Sequence, residues 1–277
     1  MGGEHASSFE TSKRIRGLEE KKRALRSILR GMGSGLVAFS GGVDSTLLLH
    51  VAREELLGQV QSVTLSSPLQ SSWEVSEAVD TARALGVPHL VLESGHWQDP
   101  LFSRNKPDRC HRCKWLVMSQ LVEVAMREGL ACVMDGSHAG DRKEERPGMR
   151  ALEELGIRSP LREAGLEKSE IRSWARELGI PHWDRPPRAC LATRIPTGEK
   201  ITLRKLDRVR AAEDRLRDMG FHQFRARYKG KAVVIEVGRG EVGALVAPDL
   251  RGRVIAEMQS VGFRHVWVDL RGYVEER

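Results

Sequence analysis

Two short stretches of this chain gather reactive residue types at close spacing. The first, Ser40-Gly-Gly-Val-Asp-Ser45, combines two glycines, two hydroxyls and a carboxylate. Set between a buried strand and a helix, its amides from Ser40 through Val43 and Asp44 to Ser45 form an anion cradle, reinforced by the helix N-terminus. Gly41 and Gly42 let the main chain approach phosphate oxygens and take dihedrals closed to other residues. No Gly-Lys-Ser/Thr follows, so this is not a Walker A loop. The missing lysine points to a turn that grips a β/γ pyrophosphate as leaving group and leaves the α-phosphate open to attack.

The second stretch is Cys110-His111-Arg112-Cys113, immediately ahead of an expected helix whose dipole favours thiolate, with Arg109, Arg112 and Lys114 adding positive charge. Cys190 lies far along the chain in Arg188-Ala-Cys-Leu-Ala-Thr-Arg194. Three thiolates without a matching fourth suit a [4Fe-4S] cluster with one iron left open to carry an extra sulfide. Zinc completed by His111 or water, or a redox disulfide between 110 and 113, fits the same spacing. Cys132, in Leu-Ala-Cys-Val-Met, reads as a small core residue.

The elements that position these residues follow from periodicity and turn signals. Residues 1–8 read as a loose tail and 9–30 as a helix. Strands are expected at 35–39, 60–65, 89–92 and 130–134, alternating with helices at 46–57, 73–85 and 114–127. That alternation predicts an α/β fold with a parallel sheet covered on both faces. Further helices are expected at 148–155 and 169–178, and Pro186-Pro187 marks a boundary. Beyond it the order helix 203–219, strand 221–228, strand 232–237, helix 250–261, strand 265–270 describes a smaller α+β domain. The expected division is therefore 1–187 for the nucleotide-binding domain and 188–277 for the substrate domain.

Composition narrows the function classes. The chain has 277 residues, 40% hydrophobic and 30% charged, with 45 Lys plus Arg against 38 Asp plus Glu and four cysteines. That excludes a disordered chain and a disulfide scaffold. No apolar run approaches a membrane span and the N-terminus lacks a signal-peptide core, so a cytoplasmic protein is expected. Residues 200–231 hold eleven Lys or Arg against four Asp or Glu, which suggests an anionic ligand or a solvated helix face.

The loop after a first strand resembles that of the PP-loop, or adenine-nucleotide α-hydrolase, superfamily, whose members adenylate an oxygen and release pyrophosphate. That resemblance implies ATP as cosubstrate, Asp44 as a holder of Mg²⁺, and Asp141 of Asp135-Gly-Ser-His-Ala-Gly-Asp141 as a second metal-binding acid. A longer set of motifs resembles the LarE family of ATP-dependent sulfur transferases. It comprises the loop, Arg-Cys-His-Arg-Cys-Lys at 109–114, Asp-Gly-Ser with Asp141, Arg-Pro-Gly at 146–148, Ser-Pro-Leu at 159–161 and Trp-Asp-Arg-Pro at 183–186. Cys-Leu-Ala-Thr-Arg-Ile-Pro-Thr-Gly at 190–198 and Arg-Ala-Arg at 225–227 complete it.

By that resemblance a carboxylate of a pyridinium dicarboxylate mononucleotide is activated as an acyl-adenylate and attacked by sulfur, in nickel-pincer nucleotide biosynthesis. Members with one matching cysteine, here Cys190, give up its own sulfur; members with three use a [4Fe-4S] cluster on Cys110, Cys113 and Cys190. All three are present. Arg194, Arg225 and Arg227 are the expected binders of substrate phosphate and carboxylates, since bidentate contacts suit arginine. Glu213 is expected to position or polarise the substrate, its alternative being an exposed helix acid. Arg225 and Arg227 share a strand face by their spacing. A homo-oligomer acting on a small-molecule nucleotide is expected, with neither nucleic acid nor membrane as partner. The competing readings are tRNA thiolation, ammonia-dependent amidation, and a non-catalytic zinc-stabilised nucleotide module.

Overall fold

The computed structural model describes residues 3–141, 147–185 and 189–274. The chain forms two units, one from Met1–Leu65, Trp73–Glu93 and Lys114–Arg185, the other from Ser66–Ser72, Ser94–Cys113 and Pro186–Arg277. The second therefore takes in two segments that lie inside the span 1–187.

In chain order the first unit begins with α1 (Gly3–Met32), β1 (Gly35–Ala38), α2 (Val43–Glu55), β2 (Val60–Ser66), α3 (Ser72–Ala84) and β3 (His89–Glu93). A short helix α4 (Pro100–Ser103) belongs to the second unit, and α5 (Arg109–Arg127) contributes its first turn to that unit. Then follow β4 (Val133–Met134), α6 (Gly148–Glu154), α7 (Pro160–Glu163) and α8 (Lys168–Glu177). The sheet order is β3-β2-β1-β4, with β1 parallel to both neighbours. Alternate residues of a strand face opposite sides. Val37 accordingly joins the core under α1, α2 and α8, and Leu36 joins the cluster with Val63, Met118, Leu121 and Val133. The parallel α/β architecture expected from the alternation is present.

Three local differences have plain causes. Residues 3–8 are helical rather than a tail, because nothing between Glu4 and Arg16 breaks a helix. The strand expected at 130–134 shrinks to its last two residues, since Leu130 N–H donates to Ala125 O and closes the end of α5. Cys110 and Cys113 lie inside the first turn of α5 rather than ahead of it.

The second unit continues with α9 (Leu203–Asp218), β5 (Phe224–Lys229), β6 (Ala232–Val237), α10 (Val242–Val246), α11 (Pro248–Ser260) and β7 (His265–Val268). β6 is central, antiparallel to β5 and parallel to β7. Thr202 caps α9 by accepting the Lys205 amide, and Leu206, Val209, Ala212 and Leu216 bury its apolar stripe. They pack with Ala226, Tyr228, Val233, Ile235, Met258 and Phe263 in one core. Among the described residues no helix is long and apolar enough to cross a membrane.

Candidate functional site

The glycine turn of the first unit has the geometry its sequence implies. Gly41 adopts φ +71°, and a Cβ there would stand 3.2 Å from Ala78 Cα, so the left-handed backbone and the close approach of α3 both favour glycine. Gly42 is the extended residue that opens α2. Ser45 Oγ donates to Gly42 O at 3.1 Å and lies 3.1 Å from Ser40 Oγ, so the two hydroxyls brace the bend from inside. Gly136, at the exit of β4, lies against this turn: a Cβ on it would come within 3.0 Å of Ser45 N.

Three acids of the first unit are engaged. Asp44, in the first turn of α2, receives Lys168 Nζ on both oxygens at 2.7 and 2.5 Å. Lys168 arrives there because α8 packs on α2 through Ile171, Trp174 and Ala175, with a Glu167/Glu170 capping box fixing its start. Asp141 is buried; its Oδ2 accepts His138 N–H at 3.0 Å and its Oδ1 lies 3.5 Å from His138 Nε2. Burial of Asp135 works against its ionisation, but Lys114 at 3.3 Å and hydrogen bonds from Ser159 and Ser137 hold the carboxyl below its ordinary range.

All three candidate cluster cysteines belong to the second unit, and no disulfide joins them. Cys113 packs on the core of that unit; Cys110 and Cys190 reach solvent. Although Cys190 reaches solvent, the density of protein on its inner side disfavours the thiolate and pushes the thiol above its ordinary range. The Ala192 amide and Arg109 oppose that shift, and a nearby Cys110 adds to it. Cys132 is half-buried and donates to Ser34 O at 3.5 Å, and burial pushes its thiol up.

Beside Cys190 stands a network of arginines and carboxylates. Arg194, only 3% exposed, places Nε 2.6 Å and Nη2 3.2 Å from the two oxygens of Glu213, while its Nη1 reaches Thr193 Oγ1 and Cys190 O. Glu213 is also buried and accepts Ala226 N–H at 3.0 Å. The exposed-acid alternative is thereby excluded: Glu213 continues the 3–4 spacing of Leu206, Val209 and Leu216, the inward stripe of α9. Arg227 forms a bidentate pair with Glu236 at 2.7 and 3.1 Å and reaches Thr193 O at 3.4 Å. Arg225 lies over the Tyr273 ring at 4.8 Å. Burial and the positive Arg194 pull its guanidinium below the usual arginine range. A site that disfavours its own cation favours an incoming anion.

The donor set fits a [4Fe-4S] cluster in kind, with three thiols in one unit and two on one helical turn. Among the described residues, however, no three His, Cys, Asp or Glu side chains converge into a ready metal set. The fit is therefore one of chemistry and not of closed geometry, for the cluster and equally for Mg²⁺ on Asp44 and Asp141.

Comparison with known proteins decides the family. A family model described as asparagine synthase matches residues 12–102, the part that contains the glycine turn. A pyridinium-3,5-bisthiocarboxylic acid mononucleotide synthase of Lactiplantibacillus plantarum is 34% identical over 92% of this chain and 92% of its own. The chain belongs to the LarE family. It is an ATP-using enzyme of the PP-loop class, and its LarE motifs fall in both units. An uncharacterised protein of Synechocystis is 36% identical over 92% of this chain and 96% of its own, and a GMP synthase of Aeropyrum pernix is 27% identical over 70% of this chain.

Four residues, one in the first unit and three in the second, escaped the sequence reading. Lys168 announces itself only as the residue after a capping glutamate. Glu236 carries a period-2 signal, facing the same way as Arg225, its cross-strand partner. Tyr273 and Asn105 have no local signature, because what places them is tertiary contact.

Proposed function

We propose that this enzyme activates a carboxylate of pyridinium-3,5-biscarboxylic acid mononucleotide with ATP and converts it to a thiocarboxylate. The carboxylate oxygen attacks the α-phosphorus, pyrophosphate leaves, and the acyl-adenylate offers AMP in place of oxide as the next leaving group. The glycine turn holds the pyrophosphate, and Lys168 supplies beside it the positive charge that a Walker lysine would have given. Asp44 and Asp141 are the residues that would hold Mg²⁺. Arg225 receives the phosphate and carboxylates of the substrate, with Arg194 and Arg227 behind it holding the surrounding segments through Glu213 and Glu236.

The observation that carries this reading is the attachment of Cys190 to the arginine network: Arg194 bonds the Cys190 carbonyl, and Arg227 bonds the carbonyl of Thr193. A thiol-bearing segment is thus fastened to groups that attract an anionic acyl donor. We assign the sulfur supply to a [4Fe-4S] cluster on Cys110, Cys113 and Cys190, which when bound would present a sulfide on its open iron. The chain's own residues hold the acyl group and stabilise departing AMP, and free thiols of this kind suit the reducing cytoplasm. The exposure of Cys190 favours one second reading. Its thiolate attacks the acyl carbonyl and expels AMP; loss of the Cα proton to a base then breaks the Cβ–S bond, releasing thiocarboxylate and leaving dehydroalanine.

The test is anaerobic reconstitution followed by intact-protein mass spectrometry before and after turnover. The cluster route predicts about four iron per chain, lost on Cys110→Ala, Cys113→Ala or Cys190→Ala, with an unchanged protein mass after turnover. Loss of one H₂S from Cys190 establishes the second route instead, and thiolation of tRNA but not of the mononucleotide overturns both.

A further inference from the structure

Asn105 belongs to none of the motifs above, yet it is fully buried at the centre of a polar junction. It precedes the cysteine pair and adopts φ +56°, a conformation asparagine tolerates better than most residues. Its Nδ2 donates to the carbonyls of Ile195 at 3.3 Å, Pro196 at 2.8 Å and Glu199 at 3.0 Å. Its own carbonyl accepts Gly198 N–H at 2.8 Å, and the neighbouring Ser103 carbonyl accepts Ile201 N–H at 2.8 Å. On the other side, its Oδ1 accepts from Arg109 Nη1, which also reaches Ala192 O at 3.3 Å.

These contacts join two stretches distant in sequence. One runs from Phe102 to Arg109 and leads directly into Cys110 and Cys113; the other runs from Ala192 to Ile201 and follows Cys190. Phe102, Ile195 and Ile201 anchor both in the same apolar core, but apolar contacts alone tolerate sliding. A buried amide with both ends hydrogen-bonded does not, since any shift strands its donors away from water.

We propose that Asn105, with Arg109, is the positioning latch that sets Cys190 beside Cys110. The cluster route needs these thiols held in one place, so the functional weight of the latch rests on that reading; the positioning itself does not. The Arg109–Ala192 bond spans the two stretches one residue from Cys110 and two from Cys190, which is where such a latch has to act.

The test uses the iron-free full-length protein and dibromobimane, a short reagent that bridges adjacent thiols, with bridged peptides identified by mass mapping. In the unaltered chain both Cys110–Cys113 and Cys110–Cys190 bridges are expected. Asn105→Gly keeps the left-handed backbone unstrained while deleting the amide. It should lower the Cys110–Cys190 yield about fivefold, the loss expected for a deleted buried hydrogen-bond set, and leave the Cys110–Cys113 bridge unchanged. A merely destabilised protein would change both. Arg109→Met, at a partly exposed position, gives a second variant that preserves the fold and should reduce the same bridge in the same direction. Equal Cys110–Cys190 bridging in both variants, or none in the unaltered chain, overturns the proposal. Bridging needs no ATP, substrate or iron. Failure of the sulfur-transfer reading would therefore appear separately, as absent thiocarboxylate with the bridging pattern intact.

Discussion

Arg194 and Glu213 set the residue scale of this enzyme, because both charges are buried and each is the other's main partner. Removing one partner of such a pair leaves the other stranded, at a cost of about 3–5 kcal/mol. Glu213→Ala should lower unfolding free energy by that amount in urea titration, and Glu213→Gln by less. Arg225 should behave differently. Its cation is already disfavoured by burial and by Arg194, so its loss is expected to affect the anion more than the fold. Arg225→Ala should weaken mononucleotide binding about tenfold or more, the scale of one lost charged hydrogen bond, with ATP affinity unchanged in calorimetry. Much of this site was legible in advance. Ser40 to Ser45, the cysteines, and the arginines at 194, 225 and 227 announce their chemistry by type and spacing. What was not legible is pairing: nothing local shows that Lys168 covers Asp44, or that Arg194 and Arg227 arrive with their own carboxylates.

At the scale of elements, the alternation of short apolar runs with amphipathic helices was enough to read the parallel sheet, since buried strands and covering helices have different periods. Boundaries were less legible where the chain closes a helix by backbone bonds. Leu130 and Phe221 were read as strand because they are apolar, but both amides return to the preceding helix, to Ala125 O and Leu216 O. The segment His96–Gln98 with α4 is another element that sequence left unassigned, and it has a pH signature. His96 is buried against the Phe102 ring with Ser94 Oγ at 2.8 Å from Nδ1, and burial lowers its pKa to about 4. The unfolded chain, titrating near 6.5, binds the extra proton first. Stability should therefore be full above about pH 6.5 and fall as the pH drops toward 4. His96→Asn should flatten that slope in thermal melts taken across the same window; an unchanged slope would remove His96 as its source.

The molecule as a whole joins two chemistries on one chain, activation of a carboxylate by ATP and delivery of sulfur to the activated carbon. The family's reach over 92% of the sequence supports both parts, but the step that defines the enzyme is transfer of the carboxylate's own oxygen to AMP. It is read most directly with substrate labelled with ¹⁸O in its carboxylates, in one anaerobic turnover with ATP and Mg²⁺. AMP should carry one ¹⁸O for each thiocarboxylate formed, and that thiocarboxylate should have exchanged one labelled oxygen for sulfur. Unlabelled AMP, or labelled AMP beside a product that contains nitrogen or no sulfur, would contradict it.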